Sequence, residues 1–315
     1  MKLFDAHAHV VERLAGYGGR GELRAIGGGK ARWANGDEIA MFPEELGDKT
    51  VTGESLKAFL DREGVEKAVL LQGGFYGFQN DYTLEVARKY PDTFIPACTV
   101  DPFCLEAAAI LKRYLDAGVR VLKFEVSTGP GLMSYHQAFK LDGSRLYEFI
   151  QMAADCGCVL TLDLGSPGMA SFQPEAVANI AKTHPSMKIV VCHLLAPTPK
   201  DGEALEQGLK TLKRENIWFD TSALPWNVYP EQYPYPTATQ YLKTAREIVG
   251  AEKLIWGSDV PCPLTRDSYV HLYDYFQNSE VFTQAELEDI YYNNGMEVYG
   301  PCSLKASGSA GARPL

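Results

Sequence analysis

Residues 2–10 read KLFDAHAHV, an apolar start followed by Asp5, His7 and His9 at every second position. Side chains of an extended strand alternate with period two, so these three would leave the same face. The chain has only six histidines among 315 residues. Two of them one step apart, directly before a glycine-rich stretch, raise the question of a metal site at a strand end.

Seven further short apolar runs follow, each ending in turn or polar residues: KAVLLQG at 67, FIPACTVDP at 94, VRVLKFEV at 119, VLTLDLG at 159, KIVVCHLL at 188, IWFDTSAL at 217 and LIWGSDV at 254. Between them lie segments of helical periodicity, including residues 53–65, 80–90, 105–119, 144–157 and 174–184. Strands alternating with helices imply parallel pairing through right-handed crossovers, hence a (β/α)8 TIM barrel or a doubly wound sheet. The count of eight selects the barrel. The glycines of GYGGRG and IGGGK sit in a loop with no helix directly after them, so the nucleotide-binding open sheet has no phosphate loop. One barrel domain is expected over residues 1–300, with a long first loop over 11–50 and a flexible tail over 301–315.

Composition narrows the function. With 46% hydrophobic residues the chain can bury a large core, and 40 acids against 30 bases give a formal charge of -10. That balance argues against a nucleic-acid or anionic-membrane surface and points to a small-molecule partner. No apolar run approaches the ~20 residues of a membrane span, and no secretory h-region opens the chain, so the cytoplasm is the expected location. Seven cysteines, without a C-x-x-C pair, read as reduced core residues.

Active sites of such barrels lie at the C-terminal ends of the strands. There the sequence places His7 and His9 on the first strand, Lys123 and Glu125 on the fourth, Asp163 on the fifth, His193 on the sixth and Asp259 on the eighth. In LTLDLG, Leu160, Leu162 and Leu164 would face the helices while Thr161 and Asp163 face the axis. Singly, each has a structural reading: His193 a hydrogen-bonded strand end, Asp259 a loop cap, Lys123 with Glu125 a buried ion pair. Together, imidazoles and carboxylates converging at one barrel end form a donor set suited to one divalent ion, zinc or manganese, with an open position. Such an ion acidifies water and polarises a substrate oxygen, and Asp259 and His193 are the candidates to move the proton. His136, in GLMSYHQAF, is a further candidate for touching the site.

These residues resemble the amidohydrolase superfamily, and more closely its amidohydrolase-related group, which includes α-amino-β-carboxymuconate-ε-semialdehyde decarboxylase. DAHAHV is similar to that group's first-strand H-x-H, KIVVCHLL to its sixth-strand His, NIWFDTSAL to its seventh strand, LIWGSDVPCPL to its G-[ST]-D-x-P, and DIYYNNGMEVYG to its closing helix. The resemblance implies a distorted barrel, usually one divalent metal, and hydrolysis or non-oxidative decarboxylation of small, often anionic substrates. Carried over by position, His7, His9 and Asp259 match metal ligands and His193 the sixth-strand catalytic or ligand His. Strand five departs, because Asp163 stands where the group usually has a ligand His. A carboxylate there can still ligate and would favour a harder metal. A catalytically inactive barrel used for binding is the remaining alternative.

The first loop carries Arg13, Arg20, Arg24, Lys30 and Arg32 against Glu22 between residues 13 and 36. A basic loop above the site suits an anionic substrate, with Arg32 beside Trp33 as the expected contact. After strand seven, LPWNVYPEQYPYP holds Trp226 and three tyrosines among four prolines. This stiff aromatic stretch could wall the pocket or cover the interface of a homodimer.

Overall fold

A computed structural model describes residues 2–300 and 304. Apart from Leu304, the expected tail over 301–315 lies outside the described residues. Eight barrel strands occur in chain order: β1 Leu3–Ala8, β2 Val65–Leu70, β3 Phe94–Pro96, β4 Val121–Glu125, β5 Val159–Asp163, β6 Ile189–Val191, β7 Ile217–Asp220 and β8 Leu254–Ile255. β1 to β3 pair in parallel in one sheet, and β4 to β8 in another. Single parallel bridges, Cys98 to Leu122 and Ala8 to Val260, close the ring. The fold is a distorted (β/α)8 barrel, and the distortion sits at these two thin seams.

The helices Gly53–Arg62, Asn80–Lys89, Ala107–Asp116, Ser144–Asp155 and Pro174–Thr183 fall within the five periodic segments. In the first, the Thr52 hydroxyl accepts the Ser55 N–H at 3.0 Å, and Leu56, Phe59 and Leu60 turn one face inward. Inside the barrel, Phe4, Val69, Ile95, Val121, Val159 and Trp218 belong to one buried cluster. Tyr299 of the closing helix stacks on Phe4 at 6.1 Å and lies 3.3 Å from the Thr161 hydroxyl, plugging the end where the strands begin. Leu160, Leu162 and Leu164 sit in the separate cluster between strands and helices, so β5 alternates as its sequence requires.

Three expectations need correction. Residues 16–40 are no open loop but an antiparallel meander of Gly16–Gly18, Gly21–Gly27, Lys30–Trp33 and Glu38–Ala40. Its glycines make turns rather than slack: Gly27, Gly28 and Gly29 have φ of 92°, 63° and 69°, a region where a Cβ is strained. Leu23, Ala31 and Trp33 bury one face of the meander. The sixth and eighth strands also end early, at Val191 and Ile255, because the chain turns sharply to present its polar residues. Of the cysteines, Cys98, Cys158, Cys192 and Cys262 are buried, but Cys104 and Cys156 are exposed; Cys302 lies outside the described residues. No helix among the described residues is long and apolar enough to cross a membrane.

Candidate active site

At the end of β1 the two imidazoles are fixed through their Nδ1 atoms. His9 Nδ1 lies 2.9 Å from the Leu71 carbonyl, which can only accept, so that nitrogen carries the proton. His7 Nδ1 lies 3.1 Å from Asp220 Oδ2, which assigns the same tautomer. Both Nε2 lone pairs then face Asp259 Oδ1, at 3.4 Å from His7 and 3.0 Å from His9. Three acceptors converge on one point, an arrangement suited to a shared cation. A proton on an imidazole is disfavoured there: burial, with Lys123 adding, pushes His7 down to about 4, and burial outweighs Asp259 in lowering His9. His7, His9 and Asp259 fit a divalent ion, with Asp220 and the Leu71 carbonyl orienting the imidazoles from behind. Lys123 Nζ, 3.1 Å from His7 Nε2, is the one donor directed into this cluster among the described residues. A second group, His7, His193 and Asp220, also lies within ligating distance.

Asp5 does not join them. The β1 register shifts between Asp5 and Ala8, and the Asp5 carboxylate instead accepts from the His7 N–H (3.1 Å), the Ser258 N–H (2.9 Å) and hydroxyl (2.5 Å), and the Tyr269 hydroxyl (2.9 Å). It ties β1 to the segment after β8. Gly257, preceding that serine, allows this approach, since a Cβ would lie 3.0 Å from His7 Cβ.

The β5–β6 end is built differently. His193 has a left-handed backbone, φ 58°, rare for a non-glycine residue. It is held by its N–H on Asp220 Oδ1 (3.1 Å) and by the Ser222 hydroxyl on Nδ1 (2.9 Å). The ring stacks on His7 at 4.7 Å, and Nε2 meets Asp163 Oδ2 at 3.6 Å. Burial alone would lower its pKa, but Asp163 foremost, with Asp259 and Asp220, carries it up to about 9. Burial likewise works against the Asp163 charge, yet His193 and Lys123 hold that carboxyl well below the usual range. Beside it, burial and then the Asp163 charge push Glu125 up to about 7. Glu125 accepts the Phe75 N–H at 3.2 Å. Only glycine fits opposite, since a Cβ on Gly73 would fall 2.0 Å from Glu125 Oε2.

A cavity of about 290 Å³ brings His7, His9, Lys123, Glu125, Asp163, His193, Trp226 and Asp259 together. Asp163 faces His193 rather than either ligand group. Trp33 walls an outer compartment of about 590 Å³ that shares Phe75 and Trp226 with the inner cavity. Two expected contacts lie elsewhere. Arg32 points along the exposed face of the meander and pairs with Glu38 at 2.6 Å. His136 pairs with Asp101 at 2.9 Å and stacks on Phe103 at 4.0 Å. The excess positive charge of the first segment is also cancelled locally, by Arg20–Asp37, Arg24–Glu22 and Arg32–Glu38 pairs. The sequence reading passed over Asp220 and Ser222, although IWFDTSAL carries the same signal as the other runs, polar residues closing an apolar strand.

Acid–base groups gathered on a prospective metal site at the C-terminal ends of eight parallel strands define the class: a barrel enzyme of the metal-dependent type. The chain belongs to the amidohydrolase family, whose Amidohydro_2 match runs over residues 4–300. The sequence matches no curated protein. Among solved structures it is similar to a probable 2-pyrone-4,6-dicarboxylic acid hydrolase from Acinetobacter baumannii with citric acid bound, at 20% identity and TM-score 0.69, over 95% of this chain and 100% of that one. A zinc-bound amidohydrolase from Burkholderia multivorans aligns at 14% identity and TM-score 0.69, over 95% and 99%. A 2,6-dihydroxybenzoate decarboxylase from Rhizobium aligns at 16% identity and TM-score 0.56, over 78% and 87%. The family match carries the reading as an enzyme, and the solved structures, at these identities, add the fold.

Proposed function

We propose that the protein is a metal-dependent hydrolase that opens a small anionic ester, lactone or amide with an activated water. The observation that carries this reading is the convergence of two unprotonated Nε2 atoms on Asp259 Oδ1. His7, His9 and Asp259 would hold one divalent ion, zinc in first place, which when bound supplies Lewis acidity toward a substrate oxygen and acidifies water. Asp259, at 22% side-chain exposure, is the most exposed member of that cluster, and it takes the proton of the attacking water. His193, kept cationic by Asp163, gives its proton to the leaving oxygen or nitrogen. Water oxygen joins the carbonyl carbon, the bond to the leaving atom breaks, and an acid is released. The relative acting on a pyrone dicarboxylic acid supports a lactone bearing carboxylates as the first substrate class to try.

Carboxy-lyase chemistry is the second reading, favoured by the same cationic His193: a proton donor lining the cavity can protonate a carbon as carbon dioxide leaves. The resemblance to the decarboxylase group supports it. A panel of carboxylated lactones and hydroxybenzoates, followed by acid titration and by carbon dioxide release, separates the two. Lactone opening without carbon dioxide supports hydrolysis; carbon dioxide from a hydroxybenzoate with no lactone opened would replace it by the second reading.

A further inference from the structure

Trp226 walls both the inner cavity and the outer compartment beneath the meander, so the two lie side by side at one indole. Arg266, on the turn after β8, lines that compartment beside Trp226 with an exposed guanidinium. Its central carbon lies 3.4 Å from the Trp226 ring centroid and 4.5 Å from that of Tyr229. Stacking of this kind holds the planar fork in one orientation with its N–H edge free. Among the described residues no carboxylate lies within ion-pair distance of Arg266. The other charges of the compartment are already matched: Arg20 with Asp37 and Glu38 with Arg32.

A third compartment also borders Arg266, but its lining adds the carboxylates of Glu231 and Asp267, the latter paired with His271. The outer compartment shares Phe75, Gly129, Pro130, Trp226 and Cys262 with the cavity of His7, His9 and Asp259, the third compartment only Trp226 and Pro263. We propose that Arg266, stacked on Trp226, is the specificity residue for a second anionic group at the distal end of the substrate, bound in the outer compartment while the reacting carbonyl occupies the inner one. This inference rests on the anionic-substrate reading above, and it reassigns to the β8 turn the role that the sequence gave to Arg32. Bidentate pairing with a carboxylate is the geometry a stacked guanidinium offers.

The test measures binding and does not depend on turnover, so its failure is separate from failure of the hydrolase reading. Glutarate, adipate, pimelate and suberate are titrated calorimetrically into the full-length protein, each beside the monocarboxylate in which a methyl group replaces one carboxylate. At least one diacid should bind about tenfold tighter than its partner, the worth of one charge-assisted pair. Arg266→Gln should bring that ratio to within roughly twofold and leave the monocarboxylate unchanged, and Arg266→Lys should restore part of it. A parent protein with no diacid preference, or a preference that survives Arg266→Gln, would overturn the assignment.

Discussion

His7 and His193 stack at 4.7 Å, both hydrogen-bonded to Asp220 and Ser222, yet their surroundings push their pKa values in opposite directions. At the β1–β8 end burial, with the Lys123 ammonium adding to it, outweighs the Asp220 and Asp259 carboxylates and pushes the His7 imidazole toward its neutral form. At the β5–β6 end Asp163 overcomes the same burial and holds His193 cationic. The balance of burial and neighbouring charge pushes two like side chains in opposite directions, which the proposed mechanism uses as ligand and acid. On that proposal Asp163 gains its role from facing His193.

The contrast breaks most severely at Asp259. Asp259→Asn should remove both the proton acceptor and one ligand, lowering kcat/KM by about 10³-fold in steady-state assays of the lactone panel. Asp163→Asn sharpens the other half, with an expected loss of about 10²-fold at neutral pH. Its diagnostic is the pH profile. On the proposed mechanism the acid form of His193 is the active one, so activity persists on the acid side and falls as pH rises past the range in which Asp163 keeps that ring protonated, above the usual histidine range. Without Asp163, burial dominates and that falling limb should move to lower pH; a limb that stays in place would remove His193 as the acid. Ser222→Ala deletes the hydroxyl bridging the two rings and should cost about 1 kcal/mol in a denaturant titration. Arg32→Gln should be smallest of all, with KM within roughly twofold, because its pair with Glu38 is exposed and outside the cavity.

Much of this was legible in the sequence, because the strands ending in His9, Glu125 and Asp163 alternate apolar and polar residues with the period of a strand. The barrel and the group lining its cavity followed from those ends. What could not be read was which groups face one another. Asp163 looked like a ligand because β5 points it inward, and nothing in LTLDLG tells that His193 turns back on a left-handed backbone to meet it. The meander escaped for a related reason: GYGGRG and IGGGK have the composition of a loose loop, and their glycines act as turn residues only once Leu23, Ala31 and Trp33 find a surface to bury. Arg32 then followed the strand alternation outward to Glu38. Asp220 carried a readable signal, a carboxylate closing an apolar run, and its function as the shared support of two histidines appears only in three dimensions.

The division of labour between the two ends is tested most directly by the metal content of three purified proteins, the parent, Asp163→Asn and Asp259→Asn, by mass spectrometry after incubation with zinc or manganese and desalting. The expected result is about one divalent ion per chain in the parent and in Asp163→Asn, and little or none in Asp259→Asn. A parent that retains no ion, or an ion lost from Asp163→Asn as from Asp259→Asn, would contradict the assignment of ligand and acid made here.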